Sequence, residues 1–181
     1  MEVKQDIPAD DPLYSGHVLE LITVANEYCR FLEKAEEYEP AAVKGFLHKV
    51  APLIYLKSSL LPEVEVADED AVEHYVTEEQ WEAMFNVLHH KLGSADEFYF
   101  IDLREKSHTD AVKGSLAECF TDVYQDLKDF LLLYQHSRRS FKENAVRECK
   151  RLFENRYGYS LVRAQSALHS VIYPDLEEIT W

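Results

Sequence analysis

The sharpest chemical pattern in this chain is a run of carboxylates at helical spacing: Glu118, Asp122, Asp126 and Asp129. At 100° per residue from Leu116 they fall at about 200°, 240°, 280° and 220°, one narrow sector of a helix. Carboxylates four residues apart on an exposed helix repel by roughly 0.2–0.5 kcal/mol per pair, so something must offset them. A divalent cation would, since it prefers carboxylate oxygen. Basic side chains would too. Residues 138–163 supply Arg138, Arg139, Lys142, Arg147, Lys150, Arg151, Arg156 and Arg163 against only Glu143, Glu148 and Glu154. Structural ion-pair networks mimic sites, and pairing with these cations is the expectation.

A second acidic set shares two of its members. Glu78-Glu79-Gln80-Trp81-Glu82 has the form Glu-Glu-x-x-Glu, and Glu118 with Asp122 the form Glu-x-x-Asp. Together they resemble the magnesium site of all-α nucleoside-triphosphate pyrophosphohydrolases, where a metal neutralises phosphate charge and activates a water. That resemblance implies Glu78, Glu79, Glu82, Glu118 and Asp122 as ligands, with Glu79, Glu82, Glu118 and Asp122 the set to test, and Mg2+ as cofactor. Residues 83–117 make a longer gap than that family has. Acids at a helix start are also favoured by the helix dipole with no metal involved.

Other chemistry is sparse. No two of the eight histidines stand four apart, so a helical zinc pair is absent from the sequence. His169 falls at the edge of an apolar stripe and is expected half-buried. Cys29, Cys119 and Cys149 are far apart, without metal-ligand spacing, and fall on apolar stripes as small core residues. There is no serine nucleophile elbow and no phosphate loop. Apart from Mg2+ under the pyrophosphohydrolase reading, no cofactor is expected.

The elements that must position these residues are helical. Gly and Pro together number 11 of 181 residues, too few for the turns of an all-β fold. Residues 1–12, with Pro8 and Pro12, read as a loose arm. Ser15 can cap a helix to about Tyr38 with the apolar stripe Val18, Leu21, Ile22, Ala25, Tyr28, Cys29 and Leu32. Pro40 opens a second, which Pro52 should kink or end. Residues 63–73 hold six acids and read as a solvated loop. Thr77 and Gln80 form a capping box for a third helix that Gly93 ends. Phe98 to Leu103 read as loop. The fourth helix, about Thr109 to His136, is the longest, with Val112, Leu116, Cys119, Phe120, Val123, Tyr124, Leu127, Phe130, Leu131 and Tyr134 on one broad stripe. A fifth runs from Ser140 to Arg156, Gly158 stops it, and Ser160 caps a sixth ending before Pro174. Tyr157 and Tyr159 flank that glycine and could line a small groove. The fold class is all-α: one domain, a compact bundle of about six helices with the fourth at its centre. Leu132 and Leu133, at about 160° and 260°, lie off the central stripe. Cover by the next helices is the expected reason, and a self-association surface the alternative.

Charge sets the partners. The net charge is −15, with 7 basic and 21 acidic side chains in residues 1–100 and 12 and 13 in the rest. Such a chain repels phosphate backbones and anionic membrane surfaces, so neither nucleic acid nor membrane is an expected partner. The longest apolar run, Phe130 to Tyr134, is far short of a membrane span. The first residues carry acids and no apolar signal core, which with unpaired cysteines indicates the cytoplasm.

Two stretches carry a resemblance. Ser115-Leu116-Ala117-Glu118-Cys119-Phe120-Thr121-Asp122-Val123-Tyr124-Gln125-Asp126-Leu127-Lys128 is one. Phe153-Glu154-Asn155-Arg156-Tyr157-Gly158-Tyr159-Ser160-Leu161-Val162-Arg163-Ala164, followed by Ala167-Leu168-His169, is the other. They resemble a bacterial family known as the domain of unknown function number five thousand and sixty-three. Tyr157 and Ser160 stand where that pattern has Trp and His. The resemblance implies a small helical bacterial protein and supplies no catalytic residues. With no catalytic constellation beyond the acidic sets, the functional expectation is a non-enzymatic interaction or adaptor protein, with a protein partner or a homodimer. The magnesium-dependent hydrolase is the alternative.

Overall fold

In the computed structural model, residues 11–102, 104 and 110–174 are described. Six α-helices carry them: α1 Gly16–Leu32, α2 Pro40–Ser59, α3 Glu78–Leu92, α4 Leu116–Tyr134, α5 Arg139–Leu152 and α6 Gly158–Ile172. Helix α4 packs against α1, α3, α5 and α6, which makes it the centre, and α2 closes the bundle against α1 and α6. The expected stripe of α4 is the core: Leu116, Phe120 and Leu127 are fully buried, with Val123 and Phe130 nearly so. The Tyr28 hydroxyl donates to the Phe120 carbonyl at 2.7 Å, so the core also locks α1 to α4. Among the described residues no helix is long and apolar enough to cross a membrane.

Several boundaries differ from the sequence reading, each for a local reason. The fourth helix begins at Leu116, and Thr109 lies outside the described residues. Residues Val112–Ser115 form a strand, β2, antiparallel to β1 (Glu97–Phe100), with Phe98 opposite Gly114 and Phe100 opposite Val112. Phe98 to Phe100, read as loop, are therefore strand. Asp96 makes the junction. Its buried carboxylate accepts from the Ser115 hydroxyl at 3.0 Å and the Ala117 amide at 2.6 Å, and pairs with His89 at 2.8 Å. Ser115 Oγ in turn accepts from the Glu118 amide. Two free amides of the first turn of α4 are thus capped from outside the helix. With that start α4 has 19 residues against 20 in α2, so it is central but not the longest.

Helix α2 runs through Pro52 instead of ending there. Pro52 is exposed, so water can serve the carbonyl that its missing N–H leaves open, while buried Ala51 and Ile54 hold the helix to the core. The first helix ends at Leu32, six residues before Tyr38, and a short 3-10 turn at Ala35–Glu37 follows. Ser15 sits at the N-cap position of α1 but makes no side-chain cap. The end of the presumed arm is fixed: Asp11 pairs with Arg139, and the Leu13 carbonyl accepts the Tyr134 hydroxyl at 2.6 Å. Thr77 and Gln80 form the expected capping box, and Gly93 ends α3 with a positive φ of 57°. Of the off-stripe leucines, Leu133 is buried and Leu132 half-buried, so the chain itself covers this end of α4.

The largest departure is at Gly158. It stops nothing: its backbone is right-handed helical, and a π-helical turn, Phe153–Tyr157, joins α5 to α6 in one unbroken helical run. The glycine is needed for space. A β-carbon there would sit 2.6 Å from the Phe153 carbonyl oxygen and 2.8 Å from its ring. The wide turn drives Tyr157 inward, where its hydroxyl donates to Ser58 Oγ at 2.8 Å and lies 3.4 Å from Cys149 Sγ. Gly158→Ala should therefore cost about 1–3 kcal/mol by overpacking. A denaturant melt matching the parent's would show that the π turn can widen freely.

Candidate functional site

Three of the four acids in the α4 sector are compensated, each by different partners, and the fourth faces solvent. Asp126 is 4% exposed and pairs with Arg156 through both guanidinium-edge nitrogens. Burial pushes its carboxyl up to about 6, against the opposing pull of Arg156. Asp129 accepts from the amides of Tyr75 and Val76, both at 2.9 Å, and meets His74 Nδ1 at 3.1 Å. Asp122 accepts from the Trp81 indole at 3.0 Å, and Glu118 is exposed. So the cations of 138–163 serve Asp126 as expected. Asp122 and Asp129 instead take N–H donors from residues 74–81, within the acidic first hundred residues. The donors there are two backbone amides, a His and an indole, which a tally of formal charge does not count.

The basic residues of α5 face the acidic loop. Lys150 pairs with Glu63 at 2.6 Å and Arg147 with Glu69 at 3.1 Å, while Glu143 accepts the Ala67 amide and Asn144 donates to the Asp68 carbonyl. Residues 63–73 are thus strapped to α5 through backbone and side chain alike.

Between strap, α4 and α5 lies a cleft of about 280 Å³. Glu73, which accepts from the Tyr75 hydroxyl, and His74, Asp126, Asp129, Glu148, Arg151 and Arg156 supply its charges, and Leu133 and Cys149 lie among its apolar lining. Every one of those charges has a partner inside the chain, with Glu148 taken by Arg151 at 2.6 Å. Burial pushes the Cys149 thiol up to about 12, and Cys29 and Cys119 likewise, so none of the three is a poised nucleophile.

The pyrophosphohydrolase-like set is not drawn together. Glu78, Glu79 and Glu82 are exposed on α3, Glu118 is exposed on α4, and Asp122 accepts from the Trp81 indole through one carboxylate oxygen. Among the described residues no three His, Cys, Asp or Glu side chains are grouped to hold a metal ion. Trp81 opens a column of rings on α3, stacked on Phe85 at 5.4 Å, which stacks on His89 at 5.6 Å. His169, expected half-buried, is exposed, with its Nδ1 3.4 Å from His48 Nε2.

A second concavity was not foreseen beyond the suggestion that Tyr157 and Tyr159 might line a groove. Tyr157 is core; Tyr159 does line one. The groove holds about 530 Å³ between β1 and the outer face of α6. Phe98 and Phe100 lie along its strand side, with ring centroids 5.7 Å apart. They fit because residue 114 is glycine: a β-carbon there would lie 2.8 Å from Phe98 and 3.2 Å from Phe100. Tyr99 is 69% exposed and Ile101 53%, and Val162 and Val171 are exposed opposite them. Between the walls lies Arg163, its guanidinium 4.1 Å from the Phe100 ring centroid and 4.6 Å from that of Tyr159. The signals in the sequence were the alternation Phe98, Phe100 and the helical series Tyr159, Val162, Ser166, Ser170, but strand and helix meet only in three dimensions.

Comparison with known proteins gives a family and a solved relative. No curated protein matches the chain. Among solved structures, it is similar to the crystal structure of protein BF1032 from Bacteroides fragilis, with 31% identity, a TM-score of 0.81, and coverage of 93% of this chain and 100% of that one. The family model described as "Domain of unknown function (DUF5063)" matches residues 12–174, and the chain belongs to that family.

Proposed function

We propose that the protein is a non-enzymatic interaction module that holds a partner protein in the groove between β1 and α6. The observation that carries this reading is the gathering of Tyr99, Ile101, Val162 and Val171, four large exposed apolar side chains, around one concave surface. Contiguous exposed apolar surface rimmed by polar groups marks interaction sites, whereas single exposed apolar residues do not. The state of the α4 cleft supports the same reading, since its acids are paired and its thiol is protonated.

Two aspartates placed in the groove test it. Tyr99→Asp with Val162→Asp alters only exposed side chains, so the melting temperature should stay within about 2 °C of the parent's. Proteins crosslinked to the parent chain in its native cells should be lost from the variant. If the variant, still folded, captures the same set as the parent, the groove is not the partner surface.

A further inference from the structure

The walls of the groove differ in what they leave unsatisfied. Strand β1 pairs with β2 alone among the described residues. In an antiparallel pair every second residue turns its N–H and C=O away from the partner strand. Those groups on β1 face the open side, and Glu97 to Ile101 all line the groove. An extended segment can add to such an edge by main-chain hydrogen bonds, with alternate side chains entering pockets.

Arg163 supplies the second requirement. In a chain of net charge −15 it makes no ion pair among the described residues. Its one hydrogen bond among the described residues is a 3.3 Å contact to Ser160 Oγ, and its Nε is buried with no partner among them. Phe100 and Tyr159 lie against the guanidinium, which restricts its motion, and its two terminal nitrogens keep N–H groups that no described residue accepts. A guanidinium fixed in this way suits a planar carboxylate that it can grip with two parallel hydrogen bonds. Arg104 lies on the Tyr159 ring as well, at 4.3 Å, but its charge is met by Asp102 at 3.1 Å, so the positive potential of the groove comes from Arg163.

We infer that the groove takes an extended segment of a partner protein that carries an acidic side chain among apolar ones: the segment adds as a third strand on β1, and its carboxylate rests on Arg163. This rests on the reading of the groove as the partner surface, and it adds the partner's chemistry. The acidity of the rest of the surface works against acidic segments at other places, so Arg163 also gives the groove its selectivity.

The test uses the full chain and an array of immobilised decapeptides in which Val, Ile or Tyr alternates with Ser, with one central Asp in one set and Asn or Lys at that place in the others. The Asp set should bind about tenfold or more tighter than the Asn set, and the Lys set should not bind. Arg163→Gln should bring the Asp and Asn sets to equal affinity. The peptide-side comparison needs no change in the protein, so it stands even if that variant folds poorly. Amide hydrogen exchange at alternate residues of 97–101 should slow when an Asp peptide is bound. Binding that is lost in Tyr99→Asp but shows no preference for Asp over Asn would overturn this inference while leaving the groove a partner surface. No binding by any set, or preference for Lys, overturns it outright. If binding appears only in a chain ending at Pro174, residues 175–181 are the groove's native occupant and the partner proposal falls.

Discussion

Replacing Leu127 by Ala should cost about 2–5 kcal/mol. Leu127 has no exposed surface and lies midway along α4, the helix that touches α1, α3, α5 and α6. A cavity there removes contacts from several helices at once, and interiors packed at crystal density relax only partly to fill one. The cost should appear as a lower denaturant midpoint with an unchanged slope. A loss under about half a kcal/mol is typical of surface changes, and such a result would mean that α4 does not form the centre of the bundle.

Removing Arg156 should produce a loss that depends on pH. Asp126 is buried, and its carboxyl titrates near 6 in the folded chain, above the ordinary carboxylate range, because burial disfavours its charge. Between about pH 4 and 6 the native state therefore holds a proton that the unfolded chain has released. This group's contribution to stability is fully present below pH 4 and is lost as pH rises through 6. Arg156 matters most where Asp126 is ionised. Arg156→Ala should thus be nearly neutral at pH 5 and cost about 2–3 kcal/mol at pH 8. That lies at or below the low end for a broken buried pair, because the arginine side chain is itself 45% exposed. Asp126→Asn should behave oppositely, costing little or even stabilising at pH 8, since the released arginine can turn to water. Thermal melts of both variants from pH 4 to 9 check this. Equal losses at pH 5 and pH 8 in Arg156→Ala would show that the pair acts through packing and not through charge.

What the sequence by itself determined was whatever depends on periodicity and short range. The stripe of α4, the capping box at Thr77 and Gln80, the stop at Gly93 and the core positions of Cys29 and Cys149 all follow from a repeat of 3.6 residues and from local backbone hydrogen bonds. The family was legible too, because its motifs lie on two contiguous stretches, 115–128 and 153–169. The tertiary structure decided everything that needed a distant partner. Val112 lies four residues before Leu116 and so fits a helical stripe, but β1 across the chain and Asp96 beneath Ser115 make 112–115 a strand. Gly158 has the composition of a helix stop, yet the nearness of the Phe153 carbonyl makes it a packing requirement inside a continuing helix. The acids of α4 invited a count of cations, whereas backbone amides and an indole took two of them, and neither carries a formal charge. The groove beside Arg163 was hidden for the same reason. Its walls, Phe98 to Ile101 and Tyr159 to Val171, are about sixty residues apart, and no local rule places a strand edge against the face of a helix.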